Sequence, residues 1–234
     1  LAITDFSEAI RLDPEDTGSY RNRGRAYRNL EQHDLAIADY TEAIRLDPAH
    51  TFAYDGLGRT HRDLGNFEQA VYYFTKSIEI NPREGEAYLE RGNTYLQLSK
   101  HDLAEADYTE AMRIGPEKGD PYYYRGLLYR QSVRYDEAVA DFTLAFERYE
   151  TREVKARVLN ARGFSYSRLN DHSRAEADYT EAMNMDPRDT QSHMNRAYLY
   201  RHIGKDEEAV GDYDEVISQD PRNGEAFMGR GMSY

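Results

Sequence analysis

The sequence predicts an all-α fold, a solenoid of stacked antiparallel helix pairs. The first observation is a recurring string, Asp-Tyr-Thr-Glu-Ala, which begins at Asp39, Asp107 and Asp178. The first two copies are 68 residues apart, twice 34, and the third follows after 71, twice 34 plus three. Self-similarity at a period of roughly 20–50 residues is typical of repeat architectures. The other two observations are small residues and prolines at fixed positions of this period.

A frame of 34 residues divides the chain, as one array over residues 1–234, into blocks whose positions are numbered from 1. Complete blocks are expected at 17–50, 51–84, 85–118, 119–155, 156–189 and 190–223. Residues 1–16 would form the second helix of a truncated block, and 224–234 the first helix of another. The block 119–155 carries three extra residues. Each block is therefore predicted to be one helical hairpin.

Position 8 is Gly in six blocks with Ala197 as the exception, position 20 is Ala in all seven, and position 24 is always Phe or Tyr. Positions 4, 8 and 11 lie on one face of a first helix, and positions 20, 24 and 27 on one face of a second. Small residues allow the two backbones to approach closely. Position 32 is Pro in six of seven blocks, with Glu150 as the departure, and Pro ends the second helix. Single hairpins cannot bury an apolar face alone, so they must stack.

The pattern aromatic-x-x-x-Gly-x-x-Tyr, then Ala-x-x-x-aromatic-x-x-Ala, then Pro resembles the tetratricopeptide repeat (TPR) family over the whole chain. The resemblance implies a right-handed superhelix whose first helices line a concave groove, and such grooves bind peptides or extended segments of partner proteins. It also implies that groove residues occupy positions 2, 5, 6, 9, 12 and 13. The groove residues expected on this basis are Arg21, Asn22, Arg25, Arg28, Phe52, Arg59, Arg62, Leu89, Asn93, Tyr123, Tyr124, Leu127, Phe164, Met194, Asn195 and Tyr198.

The charge pattern of this predicted groove differs from that of the chain. The chain has 30 Lys+Arg against 43 Asp+Glu, a formal charge of −13, which is unfavourable for binding nucleic acid backbones. Five arginines nevertheless fall at groove positions of the first two complete blocks: Arg21, Arg25, Arg28, Arg59 and Arg62. Arg binds carboxylates with two parallel hydrogen bonds, and exposed aromatic and Met side chains offer apolar anchors. We therefore expect a partner segment that is acidic near residues 17–84 and apolar further along.

A second charge pattern indicates structure rather than function. Five complete blocks carry Arg at position 7 and Asp at position 23: Arg23 with Asp39, Arg91 with Asp107, Arg125 with Asp141, Arg162 with Asp178, and Arg196 with Asp212. The remaining block has Leu57 and Tyr73 at these two positions, so both change together. The two positions pass each other in an antiparallel hairpin. We predict an ion pair within each of five hairpins and an apolar contact in the sixth.

Catalytic and metal-binding functions are not expected. Cysteine is absent, and five of the seven histidines (His33, His61, His101, His172 and His193) occupy positions where the TPR family has aromatic residues. No nucleophile elbow, phosphate-binding loop or dinucleotide motif is present, and no cofactor is expected. No apolar run approaches the ~20 residues of a membrane span. The TPR site that clamps a C-terminal carboxylate is also not expected, because Glu86 and Glu90 stand where that site has basic residues.

The leading interpretation is thus a non-catalytic protein-interaction scaffold. Two alternatives stay open: the interaction domain of a larger enzyme or regulator, and an RNA-binding helical repeat, which the acidic charge disfavours. The truncated ends suggest a fragment of a longer array, or head-to-tail self-association of residues 224–234 with residues 1–13 of another copy. In the block 119–155, the second helix is expected to continue through Tyr149 or to be followed by a longer connection. A local change of pitch there would divide the array into 1–152 and 153–234.

Overall fold

The computed structural model describes residues 2–234, and within that range it contains fourteen α-helices and no strand. The chain divides into two compact units, Leu1–Pro116 and Glu117–Tyr234. The first contains α1 (Ala2–Leu12), α2 (Thr17–Asn29), α3 (His33–Leu46), α4 (Thr51–Asp63), α5 (Phe67–Ile80), α6 (Gly85–Gln97) and α7 (His101–Ile114). The second contains α8 (Asp120–Gln131), α9 (Tyr135–Arg148), α10 (Arg152–Arg168), α11 (His172–Met185), α12 (Thr190–His202), α13 (Asp206–Gln219) and α14 (Gly224–Gly231).

Within each unit every helix packs against the next one along the chain. The first helices of successive hairpins also contact each other, α2 with α4 and α4 with α6 in the first unit, and α8 with α10 and α10 with α12 in the second. The prediction of an all-α fold of stacked antiparallel helix pairs is confirmed. The seam between neighbouring first helices is where the candidate binding residues of each unit lie.

The small residue at position 8 is explained by the aromatic ring at position 24. A Cβ added to Gly58 would lie 2.7 Å from the ring of Phe74, and one added to Gly92 would lie 2.8 Å from the ring of Tyr108. Phe74 and Tyr108 are fully buried. The ring of the second helix therefore lies directly on the backbone of the first helix, which brings the two axes together and fills the core of the hairpin.

Each first helix ends in the same way, with a residue in the left-handed region at position 15. These residues are Glu31, Gly65, Ser99, Val133, Asn170 and Gly204, with φ between 55° and 75°. The next N–H donates back into the last turn, as from Gln32 to the Tyr27 carbonyl at 2.9 Å. This Schellman arrangement satisfies carbonyls that the helix end leaves unpaired. The sequence did not predict it, because Glu31, Ser99 and Val133 are not the residues that favour a positive φ.

The three extra residues of block 119–155 neither extend the second helix α9 nor lengthen the connection after it. Helix α9 ends at Arg148 with the same 14 residues as α7, so it does not continue through Tyr149. The connection is residues 149–151, and the following helix α10 has 17 residues where α6 has 13. Tyr149 is extended, and its hydroxyl donates to Asp120 Oδ1 at 2.5 Å. The compact units divide after Pro116, and a change of pitch after residue 152 stays a prediction.

Candidate functional site

The five predicted Arg–Asp pairs are present, and each is bidentate. The guanidinium of Arg91, for example, donates from Nε and Nη2 to the two carboxylate oxygens of Asp107 at 2.8 and 2.7 Å. The other four pairs have the same geometry at 2.7–2.9 Å: Arg23–Asp39, Arg125–Asp141, Arg162–Asp178 and Arg196–Asp212. In the exceptional block, Tyr73 packs against the apolar cluster that contains Leu57.

Four of these arginines also connect successive hairpins, a contact that the repeat pattern does not predict. The third guanidinium nitrogen reaches a hydroxyl of the preceding second helix at position 25. The contacts are Arg23 with Ser7 at 3.0 Å, Arg91 with Thr75 at 3.1 Å, Arg162 with Thr143 at 3.2 Å, and Arg196 with Thr180 at 2.8 Å. Arg230 instead meets Asp214 at this position, at 2.5 Å. The position-7 arginines are therefore structural and are not candidates for binding a partner.

Position 5 of the first helix lies in the buried seam between successive hairpins in α4, α6, α10 and α12, whereas Arg21 and Tyr123 at the same position are only partly buried. Leu89 and Met194, which were expected to line the groove, are 7% and 5% exposed. Met194 packs in one apolar cluster with Ala226 of the next first helix. The expectation that these two residues face a partner is wrong, because their side chains belong to the core.

Three of the five groove arginines are already paired with carboxylates. Arg59 lies 2.9 Å from a carboxylate oxygen of Glu86 and 2.9 Å from one of Glu90. Glu90 also pairs with Arg62, and Arg28 Nε lies 2.6 Å from Asp63. Glu86 and Glu90 thus neutralise the arginines of the preceding first helix. The five arginines are therefore not equally available to an acidic partner.

Arg21 and Arg25 are different. Within residues 2–234, neither has a carboxylate at salt-bridge distance. The guanidinium of Arg21 donates to Asn22 Oδ1 at 2.8 Å and lies 5.6 Å from the ring centroid of Phe52, whose side chain is 56% exposed. Arg25 is exposed. Two cations without anionic partners therefore stand side by side on one face of α2.

These two arginines line a cavity of about 280 Å³ between α2 and α4. Its other lining residues are Arg28, Tyr40, Phe52, Asp55, Gly56, Arg59, Glu84 and Glu86. Gly56 allows Tyr40 to reach the cavity, since a Cβ at Gly56 would lie 2.4 Å from the Tyr40 ring. The volume is near the lower end of small-molecule sites, which matches one or two side chains of a partner rather than a large cofactor.

Asp55 is the polar group at the base of this cavity. It is 7% exposed, and its Oδ1 has no hydrogen-bond partner. Burial raises the pKa of the Asp55 carboxyl to about 6, while the Ser77 hydroxyl and the Arg59 guanidinium act in the opposite direction. Asp55 falls at position 5, one of the expected groove positions, but it is not among the residues expected to line the groove. The sequence did contain a signal that could have identified Asp55. It is a carboxylate at position 5, where two other blocks have the apolar residues Leu89 and Met194.

The corresponding face of the second unit is a wider and less charged cavity of about 490 Å³. Its lining includes four of the expected groove residues, Tyr123, Leu127, Phe164 and Asn195.

Three further residues that were expected to line the groove, one in the first unit and two in the second, make contacts with neighbouring side chains. Tyr124 packs edge-on against Tyr123, Asn93 accepts a hydrogen bond from Tyr108, and Tyr198 donates to Glu225.

Residues 2–234 contain no group of three or more His, Cys, Asp or Glu side chains placed to hold a metal ion. Over the same range, no helix is both long enough and apolar enough to cross a bilayer.

Several solved structures are similar to this chain. A chain of the APC/C hetero-tetramer Cut9–Hcn1 is 16% identical with a TM-score of 0.77, over 99% of this chain and 45% of that chain. PilF of Pseudomonas aeruginosa is 14% identical with a TM-score of 0.77, over 92% of this chain and 97% of that chain. YrrB, described as a TPR protein with an unusual peptide-binding site, is 17% identical with a TM-score of 0.52, over 97% of each chain. At these identities the likeness shows the fold.

Comparison of sequences gives the family. No curated protein matches the chain. Two family models, both described as tetratricopeptide repeat, match residues 15–83 in one case and residues 56–119 and 160–224 in the other. Repeats of this kind generally mediate protein–protein interactions and are generally not catalytic. The chain belongs to the tetratricopeptide repeat family.

Proposed function

We propose that this chain is a non-catalytic scaffold that binds an extended, acidic segment of a partner protein between α2 and α4, with Arg21 and Arg25 as the main contacts. The observation that carries the proposal is the lack of a carboxylate partner at these two arginines, beside a cavity whose other arginines, Arg28 and Arg59, are paired. Unpaired guanidinium groups in a concave site favour a carboxylate, which they bind with bidentate geometry.

Phe52 supplies the apolar part of the same site. Its ring is more than half exposed and lies beneath the Arg21 guanidinium, so a bound chain would gain apolar contact next to the charged contact. In the second unit, Phe164 is also exposed, beside Tyr123 and Leu127. That surface supports a separate apolar contact with a partner. The YrrB structure, whose description includes a peptide-binding site, is a precedent for a bound peptide on a similar fold.

The proposal predicts which peptides the chain selects from a random display library. Selection on the immobilised chain is expected to enrich Asp and Glu, because Arg21 and Arg25 are the arginines of the cavity that no carboxylate already pairs. The double variant Arg21→Gln and Arg25→Gln is expected to bind a selected peptide about 10–100-fold more weakly, at roughly 1.4 kcal/mol for each tenfold change. The loss should be larger at low salt, since exposed charge pairs are screened. Titration calorimetry at two salt concentrations measures both effects.

Arg113→Gln is the matched control, because Arg113 is an exposed arginine of a second helix that pairs with Glu110. It should leave the affinity unchanged. Selected peptides without acidic enrichment, or an affinity that the double variant does not alter, would contradict the proposal.

The other functions considered from the sequence stay predictions. These are RNA binding, a role as the interaction domain of a larger enzyme or regulator, and head-to-tail self-association through residues 224–234. Phe227, Met228 and Met232 are exposed at that end of the chain. No contact in the second unit indicates which partner would cover these three side chains.

A further inference from the structure

We infer that Asp55 is itself a binding residue: its carboxylate accepts a hydrogen bond from an uncharged donor of the bound segment, an Asn side-chain amide, next to the acidic residue that Arg21 and Arg25 hold. This inference rests on the proposed function and specifies the partner chemistry at the same site. It assigns the cavity between α2 and α4 a preference for an Asn-Asp pair over an acidic residue alone.

The carboxylate of Asp55 is not fully satisfied within the protein. Its Oδ1 is buried without a hydrogen bond of normal geometry, and the Ser77 hydroxyl, which favours the ionised form of Asp55, likewise lacks one. The carboxyl also lines a cavity that a ligand can enter. A buried polar atom without a partner destabilises the folded protein, so nearly all such atoms in native structures are paired. A donor from the partner would satisfy this atom on binding.

The second unit has a polar residue at the same position whose hydrogen bonds are all made within the protein. Asn160 occupies the same position 5 in the second unit and is 9% exposed. Its amide donates to Asp189 Oδ2 at 2.7 Å and to the Ser192 hydroxyl at 2.6 Å, and its oxygen accepts from Asn195 at 3.1 Å. The next hairpin therefore satisfies Asn160 completely.

Asp55 lacks this support because the matching positions of its own next hairpin offer no side-chain donor. They hold Glu84, Ala87 and Glu90, where Asn160 has Asp189, Ser192 and Asn195. Glu84 and Glu90 carry negative charge that disfavours the ionised form of Asp55. The only nearby guanidinium on the same helix is that of Arg59, which is engaged by Glu86 and Glu90.

The charges around the cavity select an uncharged donor. Arg28, Arg59, Glu84 and Glu86 also line the cavity, and both of these arginines are paired with carboxylates. The cations without an ion pair are Arg21 and Arg25, which would repel a lysine or arginine of the partner on its way to Asp55. A carboxylate alone would satisfy the arginines and leave Asp55 without a donor. A segment that combines a carboxylate with a neighbouring amide matches both, and a cavity of about 280 Å³ accommodates such a pair of side chains.

The test uses three capped dipeptides titrated into the isotopically labelled chain and followed by NMR chemical shifts at pH 7.5. These are acetyl-Asn-Asp-amide, acetyl-Ala-Asp-amide and acetyl-Asn-Asn-amide. We expect acetyl-Asn-Asp-amide to bind about 10–100-fold more tightly than acetyl-Ala-Asp-amide, in line with one hydrogen bond to a charged group. Acetyl-Asn-Asn-amide should bind weakest, because it lacks the carboxylate. The shifts should centre on α2 and α4.

Asp55→Leu is the decisive variant, because Leu occurs naturally at position 5 as Leu89 and a folded protein is expected. It should bind the two acidic dipeptides equally, without the preference for Asn. Equal binding of these two dipeptides to the original chain would overturn the inference, yet it would leave the proposed function intact if both still required Arg21 and Arg25. Binding that is independent of both arginines would overturn the proposed function as well.

Discussion

Replacing Asp107 by Ala is expected to lower the free energy of unfolding by about 3–5 kcal/mol, the usual cost of leaving one partner of a buried ion pair alone. The side chains of Arg91 and Asp107 are only 16% and 7% exposed, so water does not replace the lost carboxylate. Arg91 would keep its hydrogen bond to Thr75 but would lose both of its charged contacts. Urea denaturation of the original chain and of the variant measures the change.

The chain itself supplies the matched control. The hairpin of α4 and α5 has Leu57 and Tyr73 in place of the pair, and Leu57 is 2% exposed. The double variant Arg91→Leu and Asp107→Tyr should therefore recover most of the stability that Asp107→Ala loses, since well-packed apolar residues can replace a buried ion pair. A double variant no more stable than the single one would show that the pair cannot be exchanged for apolar packing.

The variant Asp55→Asn is expected to be more stable than the original chain by about 3 kcal/mol at pH 8. The pKa of Asp55 rises from 3.8 to about 6 on folding, mainly through burial. Because the folded state holds this proton more tightly than the unfolded state, the contribution of Asp55 to stability is fully present below pH 4 and is lost as the pH rises through about 6. Two pH units correspond to about 3 kcal/mol, and Asn does not titrate.

The measurement is the stability difference between the two proteins from pH 3.5 to pH 8. The groups that face Asp55 are Arg59 and Ser77, which favour its ionised form, and Glu84 and Glu90, which disfavour it. Asp34→Asn, at an exposed site of α3, should change stability little at any pH. A stability difference for Asp55→Asn that stays constant over this range would contradict the expectation. We also expect Asp55→Asn to bind partner peptides less well than the original chain does. Binding sites commonly show this trade-off between stability and function.

The hairpins and their ion pairs could be predicted because they repeat. Gly at position 8, an aromatic residue at position 24 and the Arg–Asp combination each occur in at least five blocks, so a single chain contains its own comparison. One block has Leu57 and Tyr73 in place of both Arg and Asp, and this joint change indicated from the sequence alone that positions 7 and 23 are in contact. The turn after each first helix could not be predicted in this way, since Glu31 and Val133 give no sign of a positive φ.

The candidate site was only partly predictable, because it depends on contacts between hairpins. The arginine cluster was visible in the sequence, but the pairing of Arg59 and Arg62 with Glu90 depends on how α4 and α6 face each other. The burial of position 5 in α4 and α6 is also a property of that seam. It removed Leu89 from the groove and left Asp55 at the base of a cavity.

A charge exchange between the chain and a selected acidic peptide tests the proposed groove most directly. Arg25→Glu should weaken binding of the acidic peptide by at least about tenfold, through repulsion between like charges. A second peptide carries Lys in place of the acidic residue that contacts Arg25. It should bind the Arg25→Glu variant more tightly than it binds the original chain. Calorimetric titration of both peptides with both proteins gives the coupling free energy between residue 25 and the exchanged residue of the peptide. If the Lys peptide binds the two proteins equally, Arg25 does not contact the partner and the proposed groove is wrong.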